Sequence, residues 1–330
     1  MGGDHAPDAI VEGALRARAQ GVQVLLAGPQ ERLEKMLADG GAALGEGVEV
    51  VDAPDVIPMD DHDPARAVRS RPGSSIAVAS RLVKDGRADA VFSAGSTGAA
   101  MAGAVLLLGR IRGVSRPAIA VVLPFGFAPT VLVDAGANAD VRPEHLVGFA
   151  MLGSVFANVR LGIDTPRVGL LSVGEEPGKG NELAKAAFPL LEQADIRFVG
   201  NVEGRDIPSD RVDVVVTDGF TGNVALKLLE GFGRFLFEEL MKIFTADDEA
   251  KAAAKVLMPG LLELGTTLSP ETHGGAHLLG VKGVCIIGHG SSSAEAVASA
   301  LRIAAQTVDG GLVPRIAERL SAQNASGETA

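Results

Sequence analysis

The sequence predicts an α/β protein built on a mostly parallel sheet, and three observations carry that prediction. The first is a repeated unit: an apolar β-branched strand, a glycine-bearing hydroxyl turn, then a helix. Its clearest copy is DVVVTDGFTGNVALKLLEGF, Asp213 to Phe232. Val214, Val215 and Val216 suit a strand buried on both faces. Gly219 and Gly222 punctuate the turn, and Thr221 or Asn223 caps a helix that opens near Val224. The second observation is that related turns recur in Val91 to Val105, Leu170 to Ala187 and Val284 to Leu301. A helix start reached this way directs free N–H groups and partial positive charge at one spot, so several such strand ends suggest one shared phosphate-handling crevice. The third is a pair of apolar runs, PAIAVVLPF and PTVLVDAG, separated by a short Gly-containing stretch. Their spacing predicts a hairpin, and so an antiparallel portion in the sheet.

The remaining elements follow in order. Pro7 to Arg18 carries Ile10, Val11, Ala14 and Leu15 at helical spacing. VQVLLAG and VEVVDAP read as strands flanking the helix PQERLEKMLADG. Ile57 to Gly73 is polar and proline-punctuated, and reads as a loop or lid. SSIAVASRLVKDG is a helix capped by Ser74 or Ser75, and ADAVFSAG is the next strand. HLVGFAMLGSVFANVRLG is a helix, and RVGLLSVG, IRFVGNVEG and VDVVVTDG are further strands. The helix after Val224 runs to Phe244 with Leu236, Phe237, Leu240, Met241 and Phe244 on one face. Phe235 falls on the other face. After the charged break ADDEAKAAAK a second apolar segment, VLMPGLLELG, follows. Residues 235–271 therefore read as a protruding helical hairpin within a single large domain over residues 1–320, with 321–330 as a tail without structure. Candidates for the hairpin tip are Val256, Leu257, Met258, Leu261 and Leu262, used for dimer packing, membrane contact or both. The opening MGGDHAP is turn chemistry with no strand ahead of it.

Composition narrows the function classes. The chain has 330 residues, 47% hydrophobic and 22% charged, so a packed core is expected. A net charge of −11 and the absence of Trp and Tyr argue against nucleic-acid binding. No apolar run approaches the ~20 residues of a membrane-spanning helix. The single cysteine, Cys285, lies inside VCII and reads as a buried small hydrophobe; without a partner for a disulfide, the chain fits a reducing cytoplasm. No histidine pair has metal-ligand spacing, so no metal or cofactor is expected, and His5, His273 and His289 read as capping or core histidines.

Lys179, in GEEPGKGNEL, stands between a strand and a helix start, where the helix dipole disfavours a cation. It is either a solvated lysine or a group that binds phosphate or a thioester oxygen. The string fails as a P-loop: one residue is missing after Gly174, and Gly180 stands where Ser or Thr binds Mg²⁺. Asn223 is either a helix cap or a polarising amide. Ser96, Thr97 and Gly98, with Gly178, Gly180, Asn181, Thr221 and Gly222, are candidate phosphate- or substrate-binding positions. Asn138 is a further candidate; with Asp134, Glu203 and Asp206 it otherwise reads as a turn-forming polar residue. Basic residues cluster at Arg66, Arg69, Arg71, Arg81, Lys84 and Arg87, and at Arg110, Arg112 and Arg116.

The ordered set MGGDHAP, SAGSTGA, DAGAN, GEEPGKGNEL, NVEGRDI, DVVVTDGFTGNVALK, GGAHLLGVKG and GHGSS resembles the bacterial phosphate acyltransferase family of phospholipid synthesis, from Met1 to about Val308. The resemblance implies a three-layer α/β/α, Rossmann-like fold similar to isopropylmalate dehydrogenase and phosphotransacetylase. It implies transfer of a long-chain acyl group from acyl carrier protein to inorganic phosphate. It also implies a homodimer, peripheral membrane contact and a downstream glycerol-3-phosphate acyltransferase. It places Lys179 and Asn223 at the active crevice, and it implies a short apolar strand ahead of MGGDHAP. Phosphate attack on a thioester needs a cradle for the dianion and donors for the developing oxyanion, and no Ser-His-Asp or Cys-His set stands out. Two other readings remain open: a short-chain phosphotransacetylase using acyl-CoA, and a non-catalytic membrane-surface scaffold.

Overall fold

The computed structural model describes residues 1–40, 47–124, 128–268 and 274–327. Its centre is an eight-stranded mixed sheet. In spatial order the strands are β3 (Ala90–Ser93), β10 (Val284–Ile287), β9 (Ala276–Leu279), β4 (Ala118–Leu123), β5 (Thr130–Val133), β8 (Val214–Val216), β6 (Arg167–Leu171) and β7 (Arg197–Val202). A separate parallel pair, β1 (Val24–Gly28) and β2 (Val48–Asp52), lies beyond β3. A cavity of about 790 Å³ separates β1 from β3 and is lined by Met1, Leu26, Val91 and Val297 among others.

The expected hairpin is present: β4 and β5 are antiparallel, with Ala120 opposite Val133. The pairing also sets strand direction. β3 and β10 are parallel, β9 is antiparallel to β10 and to β4, and β5, β8, β6 and β7 are parallel to one another. β3 and β10 therefore run opposite to β6 and β8, yet their C-terminal ends share one row of the sheet, in which Phe92, Ile286, His277, Ala120, Val133, Val216 and Leu170 are paired in register. The turns after β3, β10 and β8 contribute Thr97, His289 and Asn223 to one cavity, and the turns after β6 and β8 line a second. Hydrogen-bonding partners far apart in sequence decide direction, and no local pattern carries that information.

Both faces of the sheet are covered, giving three layers. Strand residues alternate between the two faces. Val131, Val133, Val168, Leu170, Val214 and Val216 face α6 (Pro143–Leu161), α7 (Glu182–Glu192) and α12 (Leu312–Gly327). Ile119, Val121, Leu123, Leu132 and Val215 face the other way, toward α5 (Thr97–Gly103) and α8 (Gly219–Phe244). α11 (Ala294–Asp309) packs on Val284 and Ile286 of β10. Cys285 is buried as expected, and burial pushes its thiol up to about 12. α12 continues through Gly327, into the segment expected to lack structure, and residues 328–330 lie outside those described.

Two local expectations are corrected. Ile57 to Gly73 contains a helix, α3 (Pro64–Ser70), whose start is set by Asp63 accepting from the Arg66 amide and by Pro64 in the first turn. The proline marks a helix start here. α8 opens at Gly219, five residues before Val224, because Asp218 caps it: its carboxylate accepts from the Thr221 amide at 2.8 Å. Neither Thr221 nor Asn223 is the cap.

Past Glu230, α8 projects with no fully buried side chain, and α9 (Asp248–Ala254) and α10 (Met258–Leu268) fold back along it. α10 meets α8 where Gly265 lies against the Phe237 ring. Of the proposed tip residues, Val256, Leu257 and Leu262 are exposed, Met258 is half-buried, and Leu261 is turned inward. Residues 269–271 of the excursion lie outside the described residues. No described helix is long and apolar enough to cross a membrane.

Candidate functional site

α8 starts against a rigid loop. Asp134, at the end of β5, is fully buried and its carboxylate accepts backbone N–H groups from Ile119, Gly136, Ala137 and Asn138 at 2.8–3.1 Å. Burial raises this carboxyl above the usual range, and the N–H donors partly offset that. Asn138 serves the same loop: its amide donates to Asp134 and to the Pro117 carbonyl, both at 2.8 Å. The Asn138 carbonyl in turn accepts from the Gly219 amide, the first helical residue of α8. Asn138 thus builds the loop that seats α8. Gly136 brings this loop next to the Asn223 amide.

The first half of the site lies between the turns after β6 and β8, which are adjacent parallel strands. A cavity of about 210 Å³ is lined there by Ser172, Gly180, Asn181, Thr217, Asp218 and Thr221. It brings together Gly180, Asn181 and Thr221 from the sequence candidates. Asn181 caps α7, accepting from the Ala184 amide at 2.8 Å. Gly180 has a positive φ of 110°, and a Cβ there would meet Ser172 Oγ and Ala184 Cβ below 3.0 Å; only glycine lets the turn pass so close. Ser172 Oγ is buried and has no hydrogen-bond partner among the described residues. Lys179 lies on the loop above. Its backbone amide donates to the Glu176 carbonyl, which also accepts from Asn201 on β7. The Lys179 side chain is exposed and makes no ion pair among the described residues. Gly178 is exposed, with open space where a Cβ would stand.

The second half lies under the next turns of α8. A mostly apolar cavity of about 220 Å³ is bounded by Thr97, Asn223, Lys227 and Glu230 at its polar margin. Lys227 and Glu230 form an ion pair at 2.8 Å, and His289 Nε2 lies 3.9 Å from Glu230. Thr97 comes from the turn after β3 and His289 from the turn after β10, so these two turns meet the start of α8 at one cavity. Ser96 caps α5, accepting from the Ala99 amide at 3.3 Å, and is buried. Gly98 packs against the Pro64 ring of α3. The structure therefore gives Ser96, Gly98 and Asn138 architectural contacts and leaves Thr97 and Asn223 exposed at the cavity.

Sequence reasoning missed Ser172, Asp218, Lys227 and Glu230. Asp218 carried a signal: Asp three residues before Thr221 is cap spacing. Ser172 and the Lys227–Glu230 pair did not, because their significance lies in what the fold sets beside them. His289 is neither cap nor core but stands at the cavity margin, and His273 lies outside the described residues. Several arginines of the basic clusters hold backbone: Arg71 donates to Val56, Arg81 to Pro72 and Arg110 to Ser115. No group of three or more His, Cys, Asp or Glu side chains among the described residues could hold a metal ion.

The family described as "Fatty acid synthesis protein" matches residues 1–315. A phosphate acyltransferase from Desulfitobacterium hafniense (strain Y51) is 49% identical over 97% of this chain and 95% of its own length. One from Pelotomaculum thermopropionicum is 49% identical over 96% and 92%. Among solved structures, the EutD phosphotransacetylase from Staphylococcus aureus superposes with a TM-score of 0.62 at 16% identity, covering 91% of each chain. A phosphotransacetylase from Streptococcus pyogenes superposes with a TM-score of 0.59 at 18% identity, covering 92% of each chain. At these identities the structures establish the fold alone, and that fold is the phosphotransacetylase-like one the resemblance implied.

Proposed function

The chain belongs to the phosphate acyltransferase family, and from that membership we propose that it moves a long-chain acyl group from acyl carrier protein to inorganic phosphate. The observation that carries the reading is the cavity between the turns after β6 and β8. Two helix N-termini on adjacent parallel strands meet there, over a buried hydroxyl without a partner and under a loop bearing a free lysine. This is a cradle for a small oxyanion.

In this reading phosphate sits between the two turns, held by Ser172, backbone N–H groups and the Lys179 ammonium, while Thr221, whose hydroxyl donates to Asp218, borders the site. One phosphate oxygen attacks the thioester carbonyl carbon. The carbonyl oxygen gains charge, and the Asn223 amide, close beside it, donates to that oxygen. The new C–O bond forms, the C–S bond breaks, and the phosphate's proton passes to the departing sulfur. The products are acyl phosphate and the free carrier thiol. The side chains hold and orient, and no covalent enzyme intermediate is needed.

The exposed apolar residues Phe235, Val256, Leu257 and Leu262 serve a second copy of the chain, a membrane surface, or both in turn. Membrane contact fits a product destined for a downstream glycerol-3-phosphate acyltransferase, with the enzyme on the cytoplasmic face.

The test is mass spectrometry for acyl phosphate after mixing the protein with palmitoyl-acyl carrier protein and phosphate. Phosphate-dependent appearance of palmitoyl phosphate is expected. Turnover of acetyl-CoA but not of the carrier thioester would instead establish a short-chain phosphotransacetylase. No turnover of either would leave the scaffold reading.

A further inference from the structure

The apolar cavity beneath α8 has no part in holding phosphate, yet it opens beside Asn223. Its walls are Ile119, Val121 and Leu123 on one face of β4, Leu226 on α8 and Ile287 on β10. The polar groups gather at its margin, where Thr97, Asn223 and the Lys227–Glu230 pair stand. The cavity has a volume of about 220 Å³. A mostly apolar lining with a few polar groups at one end suits a ligand whose apolar body displaces water from it. The ligand that matches is apolar in its body and polar at one end, with the polar end at Asn223.

We propose that this cavity is the acyl-chain subsite, receiving the methylenes next to the reacting carbonyl, with Val121 and Leu226 setting its depth and width. The inference rests on the acyl-transfer reading above and adds to it the place of the chain. With the carbonyl at Asn223, the chain turns beneath α8 while phosphate approaches from the turns after β6 and β8 on the other side of the helix start. Nucleophile and chain then reach the carbonyl from different sides, as the attack requires. Val121 projects from β4 toward the α8 face, and it is itself buried. Leu226, one turn after Asn223, is half-buried above it.

Two substitutions of opposite sign test the subsite. Val121→Phe fills the cavity, and Leu226→Ala enlarges it. Relative kcat/KM is measured with butyryl-, decanoyl- and palmitoyl-acyl carrier protein. A difference of a methylene or two in an apolar pocket changes discrimination by about tenfold or more. Val121→Phe is therefore expected to lower the palmitoyl-to-butyryl ratio about tenfold, and Leu226→Ala to move it the other way. Thermal melting confirms that each variant folds; if one does not, the other carries the test. Folded variants with the wild-type chain profile would overturn the subsite while leaving the acyl-transfer reading intact. If the wild type turns over no acyl donor, that reading fails and binding decides the cavity separately. Fluorescence enhancement of cis-parinaric acid by the wild type, abolished in Val121→Phe, would support an alkyl-binding cavity, and no enhancement would overturn it.

Discussion

Gly222 lies against the carbonyl of Asp134: a Cβ on Gly222 would stand 1.9 Å from that oxygen. The second turn of α8 is thereby pressed onto the loop that Asp134 organises, and Asn223 is the next residue. Any side chain at 222 must push the helix start away from β5. Gly222→Ala is expected to destabilise the fold by about 3 kcal/mol or more, the upper range of overpacking, as read by urea unfolding. Gly178→Ala is the contrast, since nothing lies within 4 Å of the added carbon. It should stay within about 0.5 kcal/mol of wild type and keep its turnover, because alanine retains the backbone N–H.

Lys179→Ala should lower turnover on the order of 10²-fold or more, the scale of losing one charge or donor acting on the transition state. Its exposed side chain makes no ion pair among the described residues, so the melting temperature should hold. Near-normal turnover in the folded variant would remove Lys179 from the mechanism.

The cap and the amide separate cleanly. Asp218→Ala deletes the α8 cap and should cost about 1 kcal/mol. Asn223→Ala leaves the cap in place and should lower turnover with little change in stability. A stability loss at 223 as large as that at 218, with turnover unchanged, would return Asn223 to a structural role.

His277 sets an acid limit on stability. It lies fully buried in β9 against the Phe156 ring, and burial lowers its pKa to about 3. The unfolded imidazole titrates near 6.5, so below that pH the unfolded chain binds a proton the folded chain refuses. Stability falls as pH drops from about 6.5 toward 3, by up to about 1.4 kcal/mol per unit from this group. His277→Leu should flatten the pH–stability curve of urea unfolding between those values, relative to wild type. Parallel curves would show that His277 is already protonated in the fold.

Membrane contact is tested with residues that face outward. Changing Val256 and Leu257 together to Glu should abolish co-sedimentation with anionic liposomes and leave turnover in solution intact. Leu261 is unsuitable, since it packs inward. If the double variant instead loses a dimer in sedimentation velocity, these residues belong to an interface between copies.

The repeated strand–turn–helix units, the β4–β5 hairpin and the buried Cys285 were legible in the sequence because each depends on residues a few positions apart. Strand burial shows as runs of valine, and turns show as glycine. The position of Lys179 in the loop just ahead of a helix, which begins at Glu182 with Asn181 as its cap, is local in the same way. What only the tertiary structure decided depends on distant partners. Three successive antiparallel pairings, β10 with β9, β9 with β4 and β4 with β5, set β3 and β10 against β8 and β6 and bring the turns after β3, β10 and β8 to one cavity. The bed formed by Asp134 and Asn138 seats α8, whose cap at Asp218 starts it at Gly219 and leaves Asn223 free of a capping role. The contact of Gly265 with Phe237 folds α10 onto α8, with Leu261 turned inward and Leu257 outward, a distinction that identical side chains at nearby positions cannot show.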